Sequence, residues 1–459
     1  MYNKSLFIAC CAGLILGLAI PPLNASPQST TDSLTELAQR AVSRDTNIAS
    51  WAIAALRAKG PAGLEALLLV NSELIRLHDA DGLRQPSANP QPAWDRLRTA
   101  LDGVSGQRDC YASRLFWYTD LDEAQAAAKA AGKPILSLRL LGRLDEEYSC
   151  ANSRFFRTTL YANAEISRYL KDHFILHWKS VRPVPRITVD FGDGRKIERT
   201  VTGNSIHYIL AADGTPLDAL PGLYSPHEFL KQLQTAEKEA AQYAQDTSAD
   251  RYFRVRQYHG ERGADARVNL TADLARVSNP SPGQAAAAAA TPTALNAAPR
   301  AMGKFQVERP LLKSFQDIDD PTWKKIAALH VADAALDAAS FRLIESKAPS
   351  AREAARITTS KGGYESPVIR MIQNLQRSIA EDTVRNEYSF HSTIHEWFAT
   401  EEKPMNLEQL NARVYAQLFL TPDSDPWLGL VPADTFSGLD NNGLLITPQP
   451  SSSTIKKIK

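Results

Sequence analysis

The stretch that decides the fold is GKPILSLRLLGRLDEEYSCANS, residues 132–153. Gly132 is placed to close a helix, and Lys133-Pro134 opens the run Ile135–Leu141, whose apolar content predicts a buried central strand. The acidic loop Asp145-Glu146-Glu147 follows, and then Cys150-Ala151-Asn152-Ser153 at the expected start of a helix. Upstream, Leu115 to Tyr118 predicts a short strand. Asp120 with Glu123 gives a capping-box pattern for a helix over Leu121–Ala131. Downstream, Phe155, Phe156 and Leu160 belong to a second helix and Ala164–Lys171 to a third, with a strand at Phe174–Trp178. Alternating segments around Gly192-Asp193-Gly194 predict a hairpin within Ile187–Thr202. Ile206–Leu210, the turn Asp213-Gly214 and a helix from Pro226 complete a unit spanning 110–245. Strands separated by helices imply parallel pairing at its centre.

Working outward, residues 31–105 read as helices, with Leu34, Leu37, Ala38 and Ala41 on one face and a break at Gly60-Pro61. Residues 278–300 carry proline and a run of alanines and no charge until Arg300, which predicts a linker. Residues 305–445 predict a helical C-terminal domain, one face of it traced by Ile369, Ile372, Leu375, Gln376 and Ile379. Within it, the irregular stretch Asp423–Pro432, with Trp427 as its anchor, is expected to clamp back on that helical domain, the alternative being a strip that binds a partner. The tail 446–459 is polar and expected to be disordered. The fold class expected is an α/β centre flanked by mainly α-helical N- and C-terminal regions.

At the other end, Lys4 precedes an apolar run from Ser5 to Ile20, stopped by Pro21-Pro22, with the small residue Ala25 beyond. The run is shorter than the roughly 20 residues of a spanning helix, so 1–25 reads as a signal peptide. Export to the periplasm or outside the cell is therefore expected, with a mature chain starting near Ser26 and no later membrane span. Lys plus Arg number 52 against 51 Asp plus Glu, a balance that argues against binding nucleic acid through bulk charge. There is no Gly-x-Ser-x-Gly and no Walker-type loop, and no cofactor is expected.

The central unit resembles the thioredoxin superfamily, in particular its secreted thioredoxin-like domains. The resemblance rests on an ordered series: Trp117-Tyr118, an Ala-rich helix over Glu123–Ala131, Gly132-Lys133-Pro134 and the strand Ile135–Leu141 leading to a cysteine motif. Tyr161 to Ile166, His173 to Leu176, Tyr208 to Gly214, Pro221-Gly222 and Phe229-Leu230 continue it. It covers about residues 110–245 only. The family pattern is Cys-x-x-Cys, whereas this chain has Ser153 at the second position, so no resolving thiol is present there. The family's cis-proline falls near Ser205, and no proline lies between Gly203 and Ala212. The resemblance thus implies a monothiol redox or disulfide-handling role through Cys150, acting on an unidentified thiol substrate or protein partner. The alternative is a non-catalytic binding or scaffold protein on a degenerate thioredoxin fold.

Two further readings of Cys150 come from the residues themselves. Cys110 and Cys150 are the cysteines left after signal cleavage, and in an oxidising compartment they are disulfide candidates. A bridge closing that loop would contribute roughly 4 kcal/mol in the chain-entropy model. A buried, inert thiol is the other. As metal candidates the sequence offers first His391 and His395, four apart on an expected helix beside Glu396, with Trp397 and Phe398 marking that helix as packed. His173 and His177, with His207 on a neighbouring strand, form a weaker set.

Overall fold

The computed structural model describes residues 33–81, 92–248, 251–278, 318–348 and 367–428. Residues 1–25 and 446–459, expected to be a signal peptide and a disordered tail, lie outside the described residues, and of the linker expected over 278–300 only Ser278 is described, as the last residue of a helix. Helices α1 (Leu34–Arg40), α2 (Thr46–Arg57), α3 (Pro61–Val70), α4 (Ser72–Asp81), α5 (Pro92–Ser105) and the short α6 (Cys110–Ser113) make the N-terminal part. The centre runs α7 (Leu121–Ala131), β1 (Ile135–Leu141), α8 (Ala151–Phe155), α9 (Ala164–His173), β2 (Ile175–Arg182), β3 (Arg186–Asp190), β4 (Lys196–Thr200), β5 (Ser205–Leu210) and β6 (Pro216–Pro221). After it come α10 (Pro226–Gln245), α11 (Arg251–Ser278), α12 (Asp320–Leu329), α13 (Ala338–Ser346), α14 (Pro367–Arg385), α15 (Ser392–Thr400) and α16 (Leu407–Arg413). Three wider π-helical segments interrupt this series, at Phe156–Leu160, Asn386–His391 and Val414–Leu418. No helix among the described residues is long and apolar enough to cross a membrane.

Capping chemistry sets several boundaries where the sequence places them. The Asp120 side chain accepts from the Glu123 N–H to start α7, and Gly132, at φ +64°, ends it in the left-handed conformation. Asn163 caps α9 and Ser225 caps α10, which carries Pro226 at its first position. The main sheet has the order β2-β1-β5-β6. β1 is parallel to β2, with Leu138 opposite Trp178, and antiparallel to β5, with Leu138 opposite His207. The expected parallel pairing therefore holds on one side of β1 only. β3 and β4 form the expected hairpin. Leu115–Tyr118 is not a ladder strand: only Tyr118 bridges to the sheet, exchanging backbone bonds with Leu176 and Trp178.

β6 is unforeseen in the sequence, because its two end prolines argue against a strand and burial of all six residues removes any alternation. Helix α11 is likewise a 28-residue addition beyond the expected end of the unit. The packing divides in two. Leu37, Leu56, Leu67, Trp94 and Leu101 build an N-terminal core that includes Cys110. The sheet and the C-terminal helices share the other, which contains Leu138, Tyr208, Phe229, Ile379, Phe398 and Tyr415.

Gly63 shows how tightly the N-terminal core is closed. A Cβ there would lie 2.0 Å from the Leu56 carbonyl oxygen, a backbone atom that cannot swing aside. In an ordinary helix interior, alanine in place of glycine stabilises. Here Gly63→Ala is expected to destabilise by roughly 1–3 kcal/mol through overpacking. Urea unfolding checks this, and a raised midpoint would show that α2 and α3 do not meet so closely.

Candidate functional site

Two constellations hold the chemistry. The first surrounds Cys150. β1 leads through Gly142 to the loop before α8, and the Cys150 N–H donates back to the Leu141 carbonyl at 3.1 Å. Cys150 is the N-cap residue of α8, as the sequence implies, but it is fully buried. Arg154, Tyr161 and Tyr415 are its ionisable neighbours. The acids of the preceding loop are matched by cations: Asp145 and Glu146 by Arg143, Glu147 by Arg108 and Lys347. The Ser153 hydroxyl donates to the Cys150 carbonyl at 2.9 Å and is thereby turned to the backbone.

Ser205 is the first residue of β5 and buried. No cis peptide occurs among the described residues. The loop before Ser205 borders the start of α8, since the Ala151 N–H donates to the Thr202 carbonyl at 3.1 Å. That loop is covered by the chain's own C-terminal part. The Tyr415 hydroxyl donates to the Asn204 carbonyl at 3.2 Å, and the Asn204 amide donates to Thr421 Oγ1 at 2.9 Å. Arg182, at the end of β2, donates to the carbonyls of Thr421, Pro422 and Asp425. Within the described part of Asp423–Pro432, Arg182 of the sheet holds the Asp425 carbonyl, and Leu428 is buried in the core that the sheet shares with the C-terminal helices.

The Cys110–Cys150 bridge expected as one alternative is absent: both thiols are free and buried. The reason is that they serve different cores. Cys110 begins α6 against α5, its N–H donating to Asp102 Oδ1 at 2.9 Å, while Cys150 packs at the end of β1. Burial pushes the Cys110 thiol up to about 12.

The second constellation lies where β6, α11 and α15 meet. His391 ends the π-helical segment Asn386–His391, and the turn continues into α15, so the His391 and His395 rings lie with centroids 3.9 Å apart, tilted by 36°. Asp218 of β6 joins them. His391 donates from Nε2 to Asp218 Oδ1 at 3.1 Å and from Nδ1 to Glu387 Oε2 at 3.0 Å. Burial alone would lower this imidazole, but the two carboxylates raise it to about 9. Burial would conversely raise Asp218, yet the His391 cation holds it well below the usual carboxylate range. Tyr258 donates its hydroxyl to Asp218 Oδ2 at 2.7 Å. His259 and His395 face each other through their Nδ1 atoms at 2.7 Å, and His259 Nε2 meets the Leu217 carbonyl at 2.9 Å. A cleft of about 410 Å³ between α11 and α15, lined by His259, His395, Tyr388, Glu396 and Arg267 among others, leads to this cluster. Of the cluster itself, His391 and His395 are the members that the sequence marks, by their spacing. Asp218 and His259 carried no signal, one lying on an unforeseen strand and the other on an unforeseen helix.

The remaining histidine set does not assemble. His177 pairs with Ser137 at 2.8 Å, His207 with the Tyr161 hydroxyl at 2.6 Å and His173 with Glu237 at 2.8 Å. β1 stands between the strands carrying His177 and His207. Burial lowers His207 from 6.5 to about 3, so it stays neutral in the fold. A histidine depressed by folding is protonated first in the unfolded chain, so its contribution is intact above pH 6.5 and is lost as pH falls towards the folded value. The stability gap between wild type and His207→Phe is therefore expected to narrow by about 1.4 kcal/mol per pH unit below pH 6.5. Denaturant midpoints measured at matched pH values test it, and a constant gap would contradict a neutral His207.

Compared with known proteins, the chain matches no family model, no curated protein and no solved structure. Fold and sites together define a mixed α/β protein with a small four-stranded sheet flanked by helices, with two separate buried thiols and a buried carboxylate–imidazole cluster.

Proposed function

We propose that residues 110–245 are a thioredoxin-like domain used as a binding platform for a protein partner, with Cys150 withheld from redox exchange by the chain's own C-terminal part. The ordered series behind the resemblance supports this reading. Trp117-Tyr118, α7, β1, Cys150 at the start of α8, α9, β2 and β5 follow one another around a single sheet. The observation that carries the proposal is the burial of Cys150 beside a loop capped by Tyr415 and Thr421. Thiol–disulfide exchange needs the attacking sulfur to reach a disulfide, and a second thiol to resolve the product. Here access is closed, and Ser153 stands where the second thiol would be. The same reading places the mature chain outside the cytoplasm.

An insulin-reduction assay on the full chain tests it, with the expected result of no turnover above the uncatalysed rate. In parallel, Cys110 and Cys150 should resist iodoacetamide in the native protein and both react in guanidinium chloride. Robust turnover, or fast native labelling of Cys150, would restore the monothiol reading.

A further inference from the structure

The cluster around Asp218 contains a nitrogen with nothing to bind. The Leu217 carbonyl can only accept, so His259 Nε2 carries a hydrogen and donates to it. A neutral His259 then has its lone pair on Nδ1, and His395 must donate from its own Nδ1 across the 2.7 Å gap. That relay leaves His395 Nε2 as a bare lone pair. The side chain is 1% exposed, and Nε2 has no hydrogen-bond partner. A buried acceptor left unmade is costly, and native proteins seldom keep one without a use.

We propose that Asp218, His391 and His395 are the protein ligands of a divalent transition-metal ion of the zinc type, reached through the cleft between α11 and α15. One donor atom from each of the three lies within 4.8 Å of the others. Two ligands bound to zinc at about 2.0–2.1 Å stand roughly 3.4 Å apart, so closing on an ion takes about 1 Å of side-chain movement. Imidazole and carboxylate suit zinc and its neighbours, and three protein ligands leave a coordination position for water. On binding, the ion takes the His391 Nε2 lone pair, and the proton now shared with Asp218 leaves to solvent.

The surroundings have the character of a supporting shell. Glu387 accepts from His391 Nδ1, His259 accepts from His395 Nδ1, and Tyr258 donates to the second oxygen of Asp218. Such partners fix tautomer and ring orientation at metal centres. Arg262 is the opposing charge nearby, 4.0 Å from Glu387, and the two carboxylates outweigh it. The inference stands apart from the thioredoxin-like reading, since none of these residues touches Cys150.

The test uses the full chain, stripped with chelator and titrated with Zn²⁺, with bound metal counted after gel filtration. Co²⁺ serves as a second probe, its absorption reporting nitrogen ligands in a low-symmetry site. One ion per chain is expected. His395→Gln keeps an amide to donate to His259 but removes the ligand nitrogen, and should abolish uptake while circular dichroism stays native. Glu387→Gln, which does not touch the ion, should weaken binding by about 10–100-fold. His330→Gln, in the separate group with Asp273 and Asp333, should change nothing. A folded wild type that takes up neither Zn²⁺ nor Co²⁺ would overturn the proposal. So would a His395→Gln chain with undiminished affinity, or loss of uptake in His330→Gln alone.

Discussion

Asp218→Ala, in metal-free protein, is expected to cost about 3–5 kcal/mol, the penalty for breaking a buried pair by removing one partner. The carboxylate is 1% exposed and accepts from three groups: His391 Nε2, the Tyr258 hydroxyl and the Ala219 N–H. Alanine fills none of those roles. It leaves the His391 imidazolium with Glu387 as its remaining counter-charge and strands the Tyr258 hydroxyl in the interior. Asp218→Asn should cost less, because an amide oxygen still accepts one of the bonds. Denaturant unfolding of the two variants beside wild type reads the order directly. A loss from Asp218→Ala of under about 1 kcal/mol, the value of an exposed pair, would mean that water reaches this site.

Tyr415→Ala should act on stability and on thiol access together. Tyr415 is fully buried within the core shared by the sheet and the C-terminal helices, and its hydroxyl donates to the Asn204 carbonyl beside the start of α8. Removing a ring of this size from a packed core costs about 3–5 kcal/mol. The cover over the thiol end is also loosened, so alkylation of Cys150 should accelerate by orders of magnitude while Cys110, in the other core, stays protected. Tyr415→Phe separates the two effects, since it keeps the ring and loses only the hydrogen bond, at about 1 kcal/mol. Mass-spectrometric labelling rates of each cysteine decide the matter. Equal acceleration of both thiols would point to global unfolding and not to a lifted cover.

What the sequence made legible follows from where local signals are strong. β1, α7, α9 and the β3–β4 hairpin were readable because a cap, a glycine or an apolar run marks each boundary within a few residues. β6 was not, since PLDALP is buried on both faces and bounded by prolines, and its place in the sheet depends on β5 for a partner. Ile369 lies on the expected core face of α14 but is exposed, whereas Ile372 and Ile379 are buried, because periodicity alone does not say where a partner helix ends. Of the second site, the spacing of His391 and His395 was visible, but Asp218 lies 173 residues before His391, and only the fold brings them together. The cysteine pair failed for the same reason: proximity in sequence said nothing about which core each thiol would enter.

The wider helical turns have a genetic consequence. A π-helical turn holds an extra residue within an otherwise α-helical run, and such segments are uncommon outside functional sites. In this chain one follows Cys150, one ends on His391 and one carries Tyr415. Deleting a single residue from Asn386–Phe390 would let that stretch relax to ordinary α-geometry, turning one flank against the other by about 100°. His391 and His395 would still be four apart, yet α14 could no longer meet α12 while His391 meets Asp218. These three segments should therefore tolerate exchanged letters at their exposed positions far better than a lost or gained codon, and variation in length should gather instead in the loops between helices.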